Sequence, residues 1–157
     1  MKKINILYIP VSGEIKLMEA EDSSRFKENV IGGNPEYLRF TPDDNMLMVV
    51  NEGAKLRKEG LNIRASCIAN TWSRQNVSWS SSKTIYGDAF IEGCQLGINS
   101  KTIESCSVPI KELESLIDYC NKAESWWDFA QKNIVNSTIF QWFTAATQYF
   151  DDGQFKF

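Results

Sequence analysis

The sequence contains no histidine, and its four cysteines form no CxxC pair. Without histidine, Ser-His-Asp and Cys-His catalytic arrangements are excluded, as is a histidine general base near neutral pH. The spacing of Cys67, Cys94, Cys106 and Cys120 is unlike that of a zinc site and favours reduced, mostly buried thiols. We therefore expect no metal, no cofactor and no catalytic residue. An enzyme that uses carboxylates, lysine, tyrosine or cysteine stays open, but the composition favours a protein without catalytic activity.

Long apolar runs and a strong charge of one sign are also missing. A membrane-spanning helix takes roughly 20 apolar residues, and no stretch of the chain reaches that length. The N-terminal apolar run ends at Pro10 and Gly13, too early for a signal peptide, so we expect a first strand and a cytoplasmic protein without a membrane partner. The net charge of −3 gives no general reason to bind a long nucleic acid.

What is present is the composition of one globular domain, with 157 residues of which 43% are hydrophobic. Apolar alternation and turn signals predict a β-β-α-β-β order for the N-terminal half. The short helix covers about residues 22–31, with Asp22 or Ser23 as its cap, and Gly32 and Gly33 end it. The four strands predicted around it are Ile4–Ile9, Glu14–Ala20, Glu36–Phe40 and Met46–Val50.

The second half of the chain is irregular until its last third. Residues 51–83 have no sustained period, with a short helix or strand predicted at Leu61–Ile68, and Thr84–Cys94 has the composition of a strand. Gly97–Ser107 is short and polar, and we interpret it as a connector. From about residue 109 to 150, apolar residues recur at three- and four-residue steps, which predicts an amphipathic helical segment.

Together these elements predict an α+β fold. We expect a small, mostly antiparallel sheet, one short helix at about residues 22–31 and a C-terminal helical segment at about residues 109–150. We expect one structural unit, in which a core of residues 1–99 carries a packed helical extension of residues 100–157.

An ordered set of short motifs covers the first part of the chain. It begins with ILYIP, a helix ending in VIGG and the strand EYLRF, and it continues with VVNEGAKL, LNIRAS and IYGDAFIEG. In this order the motifs resemble a family called domain of unknown function 3846, over residues of about 4–93. The glycine pair, the Asn-Glu and the Asn-x-Arg-Ala are the most specific parts of the resemblance.

The resemblance implies a biological setting rather than a reaction. The family occurs mainly in bacteriophages, plasmids and mobile elements of gut bacteria, and small proteins of such elements often counter host defences or redirect host proteins. It therefore implies an accessory protein that binds a host protein in the bacterial host cytoplasm. The segment between LNIRAS and IYGDAFI is longer than in the family pattern, and residues from about 100 lie outside it.

The stretch after the fourth strand is the first candidate for a site. Arginine offers a rigid fork and lysine a mobile charge, and both suit a phosphate or a carboxylate on a partner. The predicted ligand- or partner-binding residues here are Asn51, Glu52, Lys55, Arg57, Asn62 and Arg64. Two other interpretations stay open: a solvated loop whose acidic residues neutralise the charge, and asparagines that only organise the backbone.

Aromatic residues supply the second candidate. Trp72, Trp79 and Tyr86 follow the basic stretch and could stack on a base, or they could anchor the core. The partner-interface candidates of the C-terminal segment are Trp126, Trp127 and Trp142. A helix cannot place adjacent tryptophans on one narrow stripe, so this segment predicts contact with a partner chain or a second copy, unless a wide face packs on the sheet.

Two classes of function follow from these residues and from the resemblance. The first is an accessory protein of a phage or mobile element that binds a host protein, for example as an inhibitor of a bacterial defence system. The second is a nucleotide-binding protein, or an enzyme acting on a nucleotide, through the basic and aromatic residues of 51–86.

Overall fold

Six strands and three helices make up the part of the chain that the computed structural model describes, which is residues 2–39, 45–71, 84–98 and 102–133. In chain order the elements are β1 (Lys3–Ile9), β2 (Lys16–Glu21), α1 (Ser24–Ile31), β3 (Pro35–Arg39), β4 (Met46–Asn51), α2 (Ile63–Thr71), β5 (Ala89–Leu96), β6 (Ile103–Cys106) and α3 (Ile110–Asn133). Every pairing among these strands is antiparallel, so the predicted α+β fold with a mostly antiparallel sheet is confirmed.

The central strand of the sheet is β5, within the order β2-β1-β5-β4-β3. Opposite β4, the first half of β5 pairs with β1 and its second half with β6. The Val108 N–H then donates to the Asn5 carbonyl at 2.9 Å, so β6 returns the chain to β1. The prediction that Gly97–Ser107 is only a connector is wrong, because it contains β6. Backbone hydrogen bonds to β5 form this strand, although its residues show no apolar alternation. β6 follows the predicted boundary between the core (residues 1–99) and the extension (residues 100–157). It nevertheless belongs to the same sheet as the N-terminal strands.

The two faces of the sheet bury alternate residues of the same strands. Since successive side chains of a strand point to opposite faces, Ile6 and Phe90 lie under α1, while Leu7 and Ile91 lie in the larger core under α2 and α3. The described residues therefore form three layers, with one helix on one side of the sheet and two on the other.

The predicted short helix is observed as α1. The Ser23 hydroxyl accepts a hydrogen bond from the Phe26 N–H at 3.2 Å, which satisfies one of the unpaired donors of the first turn. Gly32 ends the helix in the left-handed conformation, with φ of 76°. Both capping signals of the sequence therefore act as expected, and the helix packs its Phe26 and Val30 on the sheet.

The predicted C-terminal helix is confirmed as α3 over its described residues. Leu116, Cys120 and Ala123 are completely buried and follow each other at four- and three-residue steps. Burial raises the pKa of the Cys120 thiol to about 12. Residues 134–150 of the predicted segment lie outside the described residues. Over the ranges described above, α3 included, no helix is both long enough and apolar enough to cross a membrane.

Candidate functional site

Asn51 closes β4 and organises the loop that follows it. Its Oδ1 accepts from the Gly53 N–H at 3.0 Å, and its Nδ2 donates to the Ile31 carbonyl at 3.2 Å. Gly33 packs so closely on the Asn51 side chain that a Cβ atom at this position would lie 2.7 Å from Oδ1. Two of the motifs behind the resemblance, the glycine pair and the Asn-Glu, therefore meet in space.

Asn62 is completely buried and joins three segments of the chain. Its Nδ2 donates to the carbonyls of Ile9 and Gly87, both at 2.9 Å, and its Oδ1 accepts from the Ala65 N–H at 3.0 Å, which caps α2. Both Nδ2 and Oδ1 of the Asn62 amide therefore have hydrogen-bond partners. Asn51 and Asn62 have the role that the sequence left open as an alternative, because their side chains hold backbone groups in place.

Arg64 is also buried, with 5% of its side chain exposed. Its Nη1 donates to the Gly13 carbonyl at 2.8 Å and lies 3.0 Å from Glu124 Oε1, and its Nη2 donates to the Pro10 carbonyl at 2.6 Å. Arg57 is half exposed, and its Nη2 donates at 3.1 Å to the carbonyl of the residue that ends α1. Both guanidinium groups are therefore engaged within the protein.

A groove of about 280 Å³ opens beside β3, at the edge of the sheet, and we call it the edge groove. Its floor is apolar, because the buried side chains of Leu38, Val50 and Ile85 line it. Four of the predicted site residues line the same groove, namely Asn51, Glu52, Lys55 and Tyr86. Sequence reasoning did not find the floor, since its three residues come from three separate segments and look like ordinary core residues.

Lys55 contributes a positive charge to the edge groove. Its Nζ lies 6.0 Å from the centroid of the Tyr86 ring, at the limit of a cation–π contact. Glu36 and Glu52 line the groove as well, so its described lining residues carry two carboxylates and one ammonium group. The edge groove therefore has an apolar floor with a mixed and slightly acidic polar lining.

A second groove, of about 380 Å³, lies between α2 and α3, and we call it the helix groove. Arg64 lines it from α2, and Trp127 lines it from α3. The sequence suggested these two residues for separate surfaces, one for a ligand and one for a partner chain. The fold places them in one groove, because α2 packs directly against α3.

A buried charge cluster lies under α1, and sequence reasoning missed it. The Lys27 Nζ lies 2.9 Å from Glu92 Oε2, and the Ser105 Oγ accepts from Lys27 at 2.9 Å and donates to Glu92 at 2.7 Å. Burial by itself lowers the pKa of Lys27, but the hydrogen bond and charge of Glu92, with Tyr37 and Asp22, outweigh burial and raise it. A glutamate inside the apolar run AFIEGC was the available signal for this cluster.

Asp88 joins the end of β1 to the start of β5. It accepts hydrogen bonds from the Tyr8 hydroxyl at 2.7 Å and from the Val11 N–H at 2.9 Å. Burial, reinforced by the hydrogen bond and the charge of Asp88, raises the pKa of Tyr8 to about 12. The carboxylate therefore stabilises the turn beside the sheet.

Several predicted site residues lie outside the described part of the chain. These are Trp72, Trp79 and Trp142, together with the side chain of Trp126. Among the residues that the structure does describe, no three cysteine, aspartate or glutamate side chains are grouped so that they could hold a metal ion.

Comparison of the chain with protein-family models finds no match, and comparisons with curated proteins and with solved structures find no significant one. The resemblance to domain of unknown function 3846 stays a prediction from the motifs. The geometry of the two grooves is what bears on function.

Proposed function

We propose that the protein is a non-enzymatic binding protein that holds a segment of a host polypeptide in the edge groove. The observation that carries this proposal is the apolar floor of Leu38, Val50 and Ile85, which opens at the sheet edge beside β3. An apolar floor inside a polar lining is the usual composition of a pocket that receives an anchor side chain of a protein partner.

The position of β3 supports an extended partner segment. This strand ends the sheet order, and within the described residues its hydrogen-bonded neighbour is β4 alone. Glu36 and Leu38, two residues apart on β3, both line the groove. A segment that added to the edge of β3 would gain main-chain hydrogen bonds, and the groove would select its side chains.

The charges near the groove support a polypeptide better than a phosphate. Phosphate sites need several converging donors, from backbone N–H groups or from basic side chains. Lys55 shares the groove with Glu36 and Glu52, and the guanidinium groups of Arg57 and Arg64 donate to backbone carbonyls. A peptide with charges of both signs matches this lining, whereas a phosphate meets more negative than positive charge among the described lining residues.

The motif resemblance supports a setting for the partner. Since the resembled family occurs in phages, plasmids and other mobile elements, we take the partner to be a protein of the bacterial host cytoplasm. A component of a defence system, inhibited by the binding, fits this setting. The proposal assigns no catalytic reaction to the protein.

Affinity capture from a bacterial lysate, followed by mass spectrometry, tests the proposal. We expect one host protein to be retained by the wild-type chain and lost with Lys55→Glu and with Tyr86→Ala. Lys16→Glu is the matched control, because Lys16 is exposed on β2 at the opposite edge of the sheet and its replacement makes the same charge change. Retention by all variants, or by none of the chains, would overturn the proposal.

A nucleotide is the second candidate ligand, because the Lys55 ammonium lies near the Tyr86 ring. In a nucleotide site, the ammonium would bind the phosphate and the ring would stack on the base. Thermal unfolding with a panel of nucleotides separates the two candidates. We expect no change in Tm. A rise in Tm that disappears in Lys55→Glu would instead identify the edge groove as a nucleotide site.

A further inference from the structure

The helix groove has a composition that selects a different ligand group from the edge groove. Its apolar lining residues outside α3 are Val11, Leu61 and Ile63. Leu61 also forms an isolated β-bridge with Tyr86, which lines the edge groove. A lining residue of one groove is therefore the backbone neighbour of a lining residue of the other.

The α3 side of the helix groove combines one indole with two carboxylates. Glu124, Trp127 and Asp128 are spaced i, i+3 and i+4, so they share one face of the helix. Both acidic residues are exposed, and Trp127 is partly buried. Charged and aromatic groups are thus presented together to whatever enters the groove.

Arg64 shows that this lining accepts a guanidinium group. Its Nη1 lies 3.0 Å from Glu124 Oε1, while its remaining contacts are to turn carbonyls of the β1–β2 connection. Among the described lining residues, the charge of Arg64 balances that of Glu124, so Asp128 leaves a net negative charge. The groove therefore attracts a cation and repels an anion such as phosphate.

We propose that the helix groove binds the guanidinium group of an arginine side chain on a polypeptide partner. A guanidinium is planar, so it can stack on the indole of Trp127 while it donates to the carboxylate of Asp128. The aliphatic stem of the arginine packs on Val11 and Ile63. A lysine ammonium has no plane to stack and is more strongly hydrated, so it binds more weakly. The inference rests on the proposed function only in assigning the arginine to the polypeptide that the edge groove holds.

Nuclear magnetic resonance of the 157-residue chain tests the groove directly. The indole N–H signal of Trp127, identified among the five tryptophans by its loss in Trp127→Phe, reports on the site. N-acetyl-argininamide is expected to shift this signal in a saturable way, with a Kd on the order of 1–10 mM for so small a probe. N-acetyl-lysinamide should bind more weakly, and N-acetyl-norleucinamide and inorganic phosphate should produce no saturable shift.

Two aspartate variants of α3 provide a matched pair. Asp128→Asn should weaken the binding of N-acetyl-argininamide by about threefold to tenfold, since it removes the carboxylate that accepts from the guanidinium. Asp118 lies on the same helix, but it pairs with Lys122 at 2.8 Å and is not among the described lining residues of the groove. Asp118→Asn should therefore leave the affinity unchanged. Both are exposed substitutions of the same kind, and the spectrum of each variant shows whether that variant is folded.

The inference is overturned by a shift that does not saturate, by equal binding of the norleucine probe, or by unchanged affinity in Asp128→Asn. Its failure leaves the proposed function intact, because the capture variants Lys55→Glu and Tyr86→Ala lie in the edge groove. Conversely, saturable arginine binding without any captured host protein would refute the proposed function and leave the arginine site standing.

Discussion

Lys27 and Glu92 form an ion pair beneath α1, with Nζ 2.9 Å from Oε2 and with 7% and 0% of the two side chains exposed. Lys27 comes from the helix and Glu92 from the central strand, so the pair connects two layers of the fold. Asp22 lies 3.4 Å from the same ammonium group, and the Ser105 hydroxyl bridges the two partners. Each charge depends on the other, because burial penalises an ion that has no partner.

Replacing Glu92 by alanine should therefore destabilise the protein strongly. We expect Glu92→Ala to lower the free energy of unfolding by about 3–5 kcal/mol, because Lys27 is left as a buried and poorly compensated charge. Urea denaturation followed by circular dichroism measures the change. The double variant Lys27→Met with Glu92→Leu should recover much of the loss, since well-packed apolar residues replace a buried pair at little cost.

The Lys3–Glu19 pair provides the control for this prediction. Its N–O distance of 2.8 Å is similar, but 63% and 61% of the two side chains are exposed. Glu19→Ala should leave the denaturation curve unchanged within error, because exposed pairs contribute little. Equal effects of Glu92→Ala and Glu19→Ala would contradict the buried pair.

Stability should fall in alkaline solution, partly through Tyr8. The folded protein raises the pKa of Tyr8 from 10.0 to about 12, so the folded state holds this proton more tightly than the unfolded state. The resulting stabilisation is fully present below pH 10 and is lost as the pH rises towards 12. The free energy of unfolding, measured by urea denaturation between pH 8 and pH 12, should fall less steeply for Tyr8→Phe.

The remaining alkaline slope of Tyr8→Phe should come partly from Cys120. Burial raises the pKa of this thiol from 9.0 to about 12, which has the same sign and acts from pH 9 upwards. Cys120→Ala in the Tyr8→Phe background should flatten the profile further. If Tyr8→Phe and the wild type have the same slope, the hydrogen bond from Tyr8 to Asp88 does not act as described.

Asn62→Ala should destabilise the protein although the residue carries no charge. The substitution leaves the Ile9 and Gly87 carbonyls without their donor and removes the cap of α2, for an expected loss of about 2–4 kcal/mol. Asn29 is exposed on α1, so Asn29→Ala should be close to neutral in the same denaturation experiment. A neutral Asn62→Ala would mean that the amide does not join the segments.

Cys106 should be the first of the four cysteines to react with iodoacetamide. The other three, Cys67, Cys94 and Cys120, are buried, whereas Cys106 is partly exposed. Its reaction should still be slow, because partial burial raises the pKa of its thiol. Mass spectrometry should find one adduct under native conditions and four in denaturing urea. Native labelling that persists in Cys106→Ser would contradict this arrangement.

Local patterns in the sequence were enough to predict most of the elements. Ser23 and Gly32 mark the ends of α1 because capping depends on neighbouring backbone groups. The apolar run of Met46–Val50 predicted β4, and the three- and four-residue steps around Leu116 and Cys120 predicted α3. Four residues that line the edge groove were also predicted, since Asn51, Glu52 and Lys55 follow the apolar run of Met46–Val50 and Tyr86 is an aromatic residue after the basic stretch.

Tertiary structure alone decided what those residues do. Arg64 and Asn62 appeared as candidate ligand-binding residues, but their hydrogen bonds reach carbonyls of Pro10, Gly13 and Ile9, more than 50 positions away along the chain. The sequence likewise could not show that Lys27 faces Glu92. The composition and local spacing therefore determined the α+β class, the strands and the helix ends, because these depend on neighbours in the chain. Which polar groups are used internally, and which line a groove, depends on partners that only folding brings together.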